Sequence, residues 1–113
     1  MQELITTHGL NFEAGPYPSF FEGEHWNSYR VGTVKGLWNS DEKDYLILSF
    51  INDKPGNGHL DDVLQWFEMS AKRDGRNLRI LSLNNRRFYR HLIAKRGFKQ
   101  IKGNVNDLIK RFN

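Results

Sequence analysis

The strongest constraint on this chain is one contiguous block in its middle. An apolar run, Tyr45–Asn52, leads into a glycine-punctuated turn, Asp53-Lys54-Pro55-Gly56-Asn57-Gly58, and then into a long amphipathic segment. Leu60, Val63, Leu64, Phe67 and Ala71 fall at i, i+3, i+4, i+7 and i+11, which draws one apolar stripe down an α-helix. Asp61 and Asp62 stand in its first turn and Lys72 and Arg73 in its last, the order the helix dipole favours, and Gly75 ends it. Asn77–Leu83 reads as a strand, and Asn84 or Asn85 is placed to cap a second helix, Arg86–Arg96, which Gly97 closes. The near-continuous apolar content of Tyr45–Asn52 predicts a central strand covered on both faces.

The flanking segments add strands. Gln2–Thr7 is short and β-branched and reads as a first strand. From Gly15 to Asn27, Pro16 and Pro18 argue against a regular element and predict a loop anchored by Tyr17, Phe20, Phe21 and Trp26. Ser28–Trp38 reads as a strand in which Gly32 and Gly36 mark a bulge or bend, and residues 39–44 as a turn. Phe98–Lys102 is a strand, and Asp107–Phe112 suits a final strand closing a hairpin, with a terminal helix as the alternative. The expected fold class is therefore α+β (α/β mixed): a single domain over residues 1–113 with a mixed, mostly antiparallel central sheet flanked by helices.

Composition narrows the chemistry. Without cysteine there is no disulfide framework, no thiolate nucleophile and no Cys-ligated zinc, and His8 and His91 lack metal-ligand spacing, so no metal is expected. No apolar run approaches the length of a membrane span, and Met1 is followed by Gln2 and Glu3 rather than by a secretory leader, so the expected location is cytoplasmic. Charge is divided unevenly. Residues 1–70 hold four basic residues against eleven acidic ones, whereas residues 71–113 hold thirteen basic residues against Asp74 and Asp107. Either the second part faces an anion, or its cations line solvated helix faces balanced by the acidic half.

The glycine turn is the feature that carries chemistry. Glycines at a helix N-terminus let backbone N–H groups approach phosphate oxygens at the positive end of the dipole. The dinucleotide and Walker patterns are absent, because there is no third spaced glycine and no Gly-Lys-Ser/Thr. The order strand, Gly56-Asn57-Gly58, helix from Leu60, strand, Asn84/Asn85, helix closing in Gly97-Phe98 resembles the GCN5-related N-acetyltransferase (GNAT) family over roughly residues 28–113. The small size and the Asn…His-Leu-Ile…Arg-Gly-Phe ending are similar to small GNAT-like proteins encoded by bacteriophages, for which the location would be the host cytoplasm.

That resemblance implies acetyl-CoA bound in a V-shaped split between Tyr45–Asn52 and Asn77–Leu83. Its pyrophosphate would lie on the amides of Gly56, Asn57, Gly58 and His59 beside Lys54, and its pantetheine along Phe50 and Ile51 and against Asn84 or Asn85. Transfer of the acetyl group would be direct attack by an amine, helped by a base and by an acid for the departing thiolate. Candidates are His25 with Glu24 for the base and Tyr89 for the acid, since Ile93 stands where the family often carries its tyrosine. Asp53 replaces the Arg or Gln that opens the family's loop. The alternative is a non-catalytic binder that uses Arg86, Arg87, Arg90, Lys95 and Arg96 to meet nucleic acid or a host protein.

Overall fold

A computed structural model describes residues 10, 12–17, 26–81, 83 and 85–112. The strand expected at Gln2–Thr7 lies outside them. The described chain forms β1 (Glu13–Tyr17), β2 (Trp26–Val31), β3 (Val34–Ser40), β4 (Asp44–Ile47), β5 (Ile51–Asn52), α1 (His59–Asp74), β6 (Asn77–Ile80), α2 (Arg86–Arg96), β7 (Lys99–Ile101) and β8 (Asn104–Lys110).

The strands make one mixed sheet in the order β1-β2-β3-β4-β6-β8-β7, with β5 also paired to β3. Among the described strands only β4 and β6 run parallel, in register from Asp44↔Asn77 to Ile47↔Ile80, and α1 is the crossover between them. The remaining pairs are antiparallel, as expected, and the final segment is a strand that closes a hairpin with β7.

Three local expectations are corrected. Ser28–Trp38 is not one strand but the hairpin β2–β3, because Gly32 takes φ 57° and turns the chain. A side chain there is also barred by space, since a Cβ would lie 2.3 Å from His59 Nδ1. Pro16 sits inside β1, where a loop was expected; β1 is the outermost of the described strands, a position that tolerates a missing N–H. Tyr45–Asn52 is broken into β4 and β5, and Tyr45 and Ile47 are buried while Leu46 and Leu48 are half-buried, so it is covered fully on one face only.

The core lies on that buried face. Tyr29, Val31, Val34, Tyr45, Ile47, Leu78, Ile80 and Leu108 meet the α1 stripe Val63, Leu64, Phe67 and Ala71. Phe67 sits at the centre, edge-on to the rings of Phe12, Tyr29, Trp38 and Trp66. Each such buried side chain contributes about 2 kcal/mol by leaving water. Arg96 of α2 forks onto Glu68 of α1 (Nε–Oε1 3.3 Å, Nη2–Oε2 3.1 Å) and Lys110 of β8 approaches the same carboxylate at 3.5 Å, which ties both elements to the first helix.

Candidate functional site

The parallel pair β4–β6 opens beyond its last bond. Leu81 N–H donates to Ile47 O at 2.9 Å, and among the described residues no later bond joins the two chains. Just after β4, Leu48 N–H continues the ladder with β3 by donating to Leu37 O, whereas Leu83 N–H, two residues past the Leu81 bond, donates instead to Asn106 O on β8. Ser49 drives the departure on one side. Its Oγ accepts from Leu37 N–H at 3.0 Å, and its carbonyl oxygen accepts from the Tyr29 hydroxyl at 2.6 Å. A side chain and a buried phenol thus satisfy groups that the ladder would otherwise have paired, which is how a bulge is held open. Burial pushes the Tyr29 phenol well above its ordinary pKa, so it stays a donor. Gly36 is obligatory beside it, since a Cβ there would stand 2.0 Å from Ser49 O.

Between the diverging chains lies a cleft of about 450 Å³. Its walls are Leu48, Ser49, Phe50 and Asn52 on one side and Ile80, Leu81 and Leu83 on the other, with Pro55 and Leu60 from the glycine turn and α1, and Asn85 and Phe88 from α2. The walls touch through the Phe50 and Phe88 rings, edge-on with centroids 5.6 Å apart. The polar side chains among the described lining residues are Ser49, Asn52 and Asn85. A second hollow of about 610 Å³ opens beside Ser28, Arg30, Lys35, Leu37, Ile51 and Glu13, and Ser49 borders both.

The glycine turn is stitched to the β2–β3 hairpin. Asp53 N–H donates to Thr33 O (3.0 Å), Thr33 N–H to His59 Nδ1 (3.0 Å), Thr33 Oγ1 to Asn52 Oδ1 (2.9 Å), and Asn57 Nδ2 to Thr33 Oγ1 (2.9 Å). Gly56 and Gly58 take φ 91° and 81°, and Gly58 is the N-cap of α1 without a side-chain cap. Asn57 Oδ1 accepts from His59 N–H at 3.1 Å, and Gly58 O accepts from Asp62 N–H at 3.3 Å. The His59 amide, expected to meet a phosphate, is therefore occupied by Asn57, and its ring is a fastening for Thr33. Among the described residues no acceptor reaches the N–H groups of Gly58, Leu60 or Asp61.

The other expected site residues are distributed as follows. Phe50 lines the cleft, and Ile51, 52 % exposed, lines the neighbouring hollow. Lys54 is exposed in the glycine turn. Asn85 lines the cleft and also caps α2, accepting from Phe88 N–H at 3.1 Å. Tyr89 is packed in the core with the Arg86 guanidinium 5.4 Å from its ring centre, and it is not part of the cleft wall. Ile93 is 42 % exposed. Arg96 is committed to Glu68 and, at 3.6 Å, to Asp61, whereas Arg86, Arg87, Arg90 and Lys95 are exposed. Glu24, His25 and Asn84 lie outside the described residues. Sequence reasoning missed the stitching role of Thr33 and the Tyr29–Ser49 bond, which join residues 19 to 26 positions apart. The only local signal was the glycine pair Gly32 and Gly36.

No cluster of three or more His, Asp or Glu side chains suited to a metal ion occurs among the described residues. No described helix is long and apolar enough to cross a membrane. Comparison with protein-family models, with curated proteins and with solved structures finds no match.

Proposed function

We propose that the chain is a small GNAT-like acyltransferase that takes acetyl-CoA as donor and an amine as acceptor. The observation that supports this most is the splay of the parallel pair β4–β6 after the Leu81–Ile47 bond, with an apolar cleft in the opening and the N-terminus of α1 at its edge. The residues present suit the donor's parts. Leu48, Phe50, Leu81 and Leu83 offer an apolar wall for an extended pantetheine arm, and Asn52 and Asn85 offer amides to its polar groups. The amides of Gly58, Leu60 and Asp61, together with exposed Lys54, suit the pyrophosphate. When bound, the thioester supplies an activated acetyl group. The protein's part is to fix the geometry of attack and keep water from the cleft, which is worth several orders of magnitude in rate. The hollow across Ser49 gives an acceptor a separate approach, with Glu13 available to an ammonium group and Arg30 and Lys35 to an anionic one.

A second reading, a binder that keeps the fold without turnover, is favoured by the cleft wall itself: its described side chains include no carboxylate, imidazole or phenol. Calorimetry with CoA and acetyl-CoA tests the shared claim. Saturable heat that is lost in Leu81→Trp, which fills the cleft from its half-buried wall, supports it; heat unaffected by that substitution, or no heat at all, contradicts it. Amine-dependent release of free CoA thiol from acetyl-CoA, with a polyamine or amino-acid panel as acceptors, then separates the transferase from the binder.

A further inference from the structure

The second helix carries an electrostatic pattern that its fold does not need. Its exposed positions are Arg86, Arg87, Arg90, His91, Ile93, Ala94 and Lys95, and none is acidic. Arg86 and Arg90 stand at i, i+4, as do Arg87 and His91 and then Lys95, so two basic rows run along one surface, with neighbours about 5–6 Å apart. Like charges at this spacing destabilise a helix, and Arg86 and Arg87 occupy the first turn, where the dipole disfavours cations. Four described cations are paired with acids: Arg73 with Asp74, Arg79 with Asp44, Arg96 of α2 with Asp61 and Glu68, and Lys110 with Glu68. Among the described residues, no acid lies within salt-bridge distance of Arg86, Arg87, Arg90 or Lys95. A recess of about 280 Å³, lined by Asn85, Arg87, Phe88 and His91, opens beside the first turn. Exposed Lys99, Lys102 and Arg111 extend the same charge in the last part of the chain.

We infer that the exposed face of α2 docks the phosphodiester backbone of a nucleic-acid duplex. A locally unfavourable concentration of unpaired cations becomes favourable once phosphates displace their own counterions onto it. Arginine forks match phosphate oxygens, and Arg86 is already held over the Tyr89 ring, which limits the freedom it loses on contact. The face has no exposed aromatic ring, because Phe88 is half-buried and Tyr89 buried, so it offers no platform for unpaired bases and selects a duplex over a single strand. Contacts of this kind grip the backbone without reading sequence. The inference stands independently of the donor cleft.

The test is fluorescence anisotropy of the full chain with labelled duplex DNA, duplex RNA and single-stranded DNA of mixed sequence. With four side chains on phosphates, the log–log salt slope is expected near about −3.6, so binding weakens about 150-fold between about 50 and 200 mM salt. Arg87→Glu/Arg90→Glu removes binding, whereas Lys43→Glu/Lys72→Glu, an equal change in net charge at exposed positions elsewhere, retains it. If the reversal disturbs folding by circular dichroism, Arg87→Gln/Arg90→Gln replaces it and flattens the slope by about 2. The DNA and RNA arms identify the duplex. Absence of duplex binding at low salt, equal loss in the control pair, stronger binding of the single strand, or binding of poly-glutamate in place of the duplex would each overturn the inference. Retention of CoA heat by the α2 variants keeps its failure distinct from failure of the cleft.

Discussion

The two helices follow the two strands of the parallel pair and both end on a left-handed glycine, Gly75 and Gly97, yet they are built on opposite terms. In α1 the charge order and the apolar spacing agree with the fold: acids in the first turn, bases in the last, and an apolar stripe buried to zero exposure at Val63, Leu64, Phe67 and Ala71. In α2 only Tyr89 and Leu92 are buried, the first turn is cationic, and the outer face repels itself. The contrast separates a helix selected to build a core from one that carries a surface. Conflict between local rules and the fold is the better guide to function.

The sharpest way to break this contrast is to truncate a core-facing position of α1 and an outward-facing one of α2. Phe67→Ala in α1 is expected to cost about 3–5 kcal/mol, whereas Ile93→Ala in α2 stays within about 0.5 kcal/mol, both read from urea unfolding. Comparable losses at the two sites would mean that the outer face of α2 is packed as tightly as the core. Next in size is the link between them. Arg96→Ala removes the fork onto Glu68 and is expected to cost about 1.5 kcal/mol, with amide exchange in α2 accelerating more than in α1.

Smaller and opposite in sign is Arg86→Glu. It places an acid in the first turn of α2 and relieves repulsion with Arg90, so the protein gains about 0.5 kcal/mol while duplex binding falls. A loss of stability there would remove the argument from electrostatic conflict. The smallest effect concerns the end of α1. Asp74 accepts from the Arg73 guanidinium at 2.9 and 3.1 Å and from the Tyr45 hydroxyl, and these hold its carboxyl down at about 2. A depressed folded pKa gives stability that is full above the ordinary carboxylate range and is lost as pH falls from about 4 towards 2. Asp74→Asn is expected to flatten that acid limb slightly, whereas Asp107→Asn is the comparison that leaves this contribution in place.

The same contrast explains what could be read before the structure. Both helices were legible at their boundaries, because their signals are local: spacing of apolar residues, Asn85 as cap, Gly75 and Gly97 as stops. The mixed sheet and closing hairpin were legible for similar reasons. The break in Tyr45–Asn52 was not, since it depends on Tyr29 reaching Ser49 O and Leu37 turning to Ser49 Oγ. The hairpin at Gly32 was reduced to a bend because nothing near it in sequence announces that His59 will fill the space a side chain would need. Pro16 misled because edge position is a property of the whole sheet. At the site, the glycine turn and Asn85 were identifiable, but the occupation of the His59 amide by Asn57 and the burial of Tyr89 away from the cleft follow only from tertiary packing.

The central claim is that the opening of the parallel pair receives the donor. The most direct measurement is a CoA titration followed by two-dimensional amide NMR of the isotopically labelled chain. The account expects saturable shifts at Gly58, Leu60, Leu81 and Leu83, around the cleft, with the outer positions of α2 unmoved. Shifts confined to Arg86, Arg87, Arg90 and Lys95, or none at saturating ligand, would contradict it.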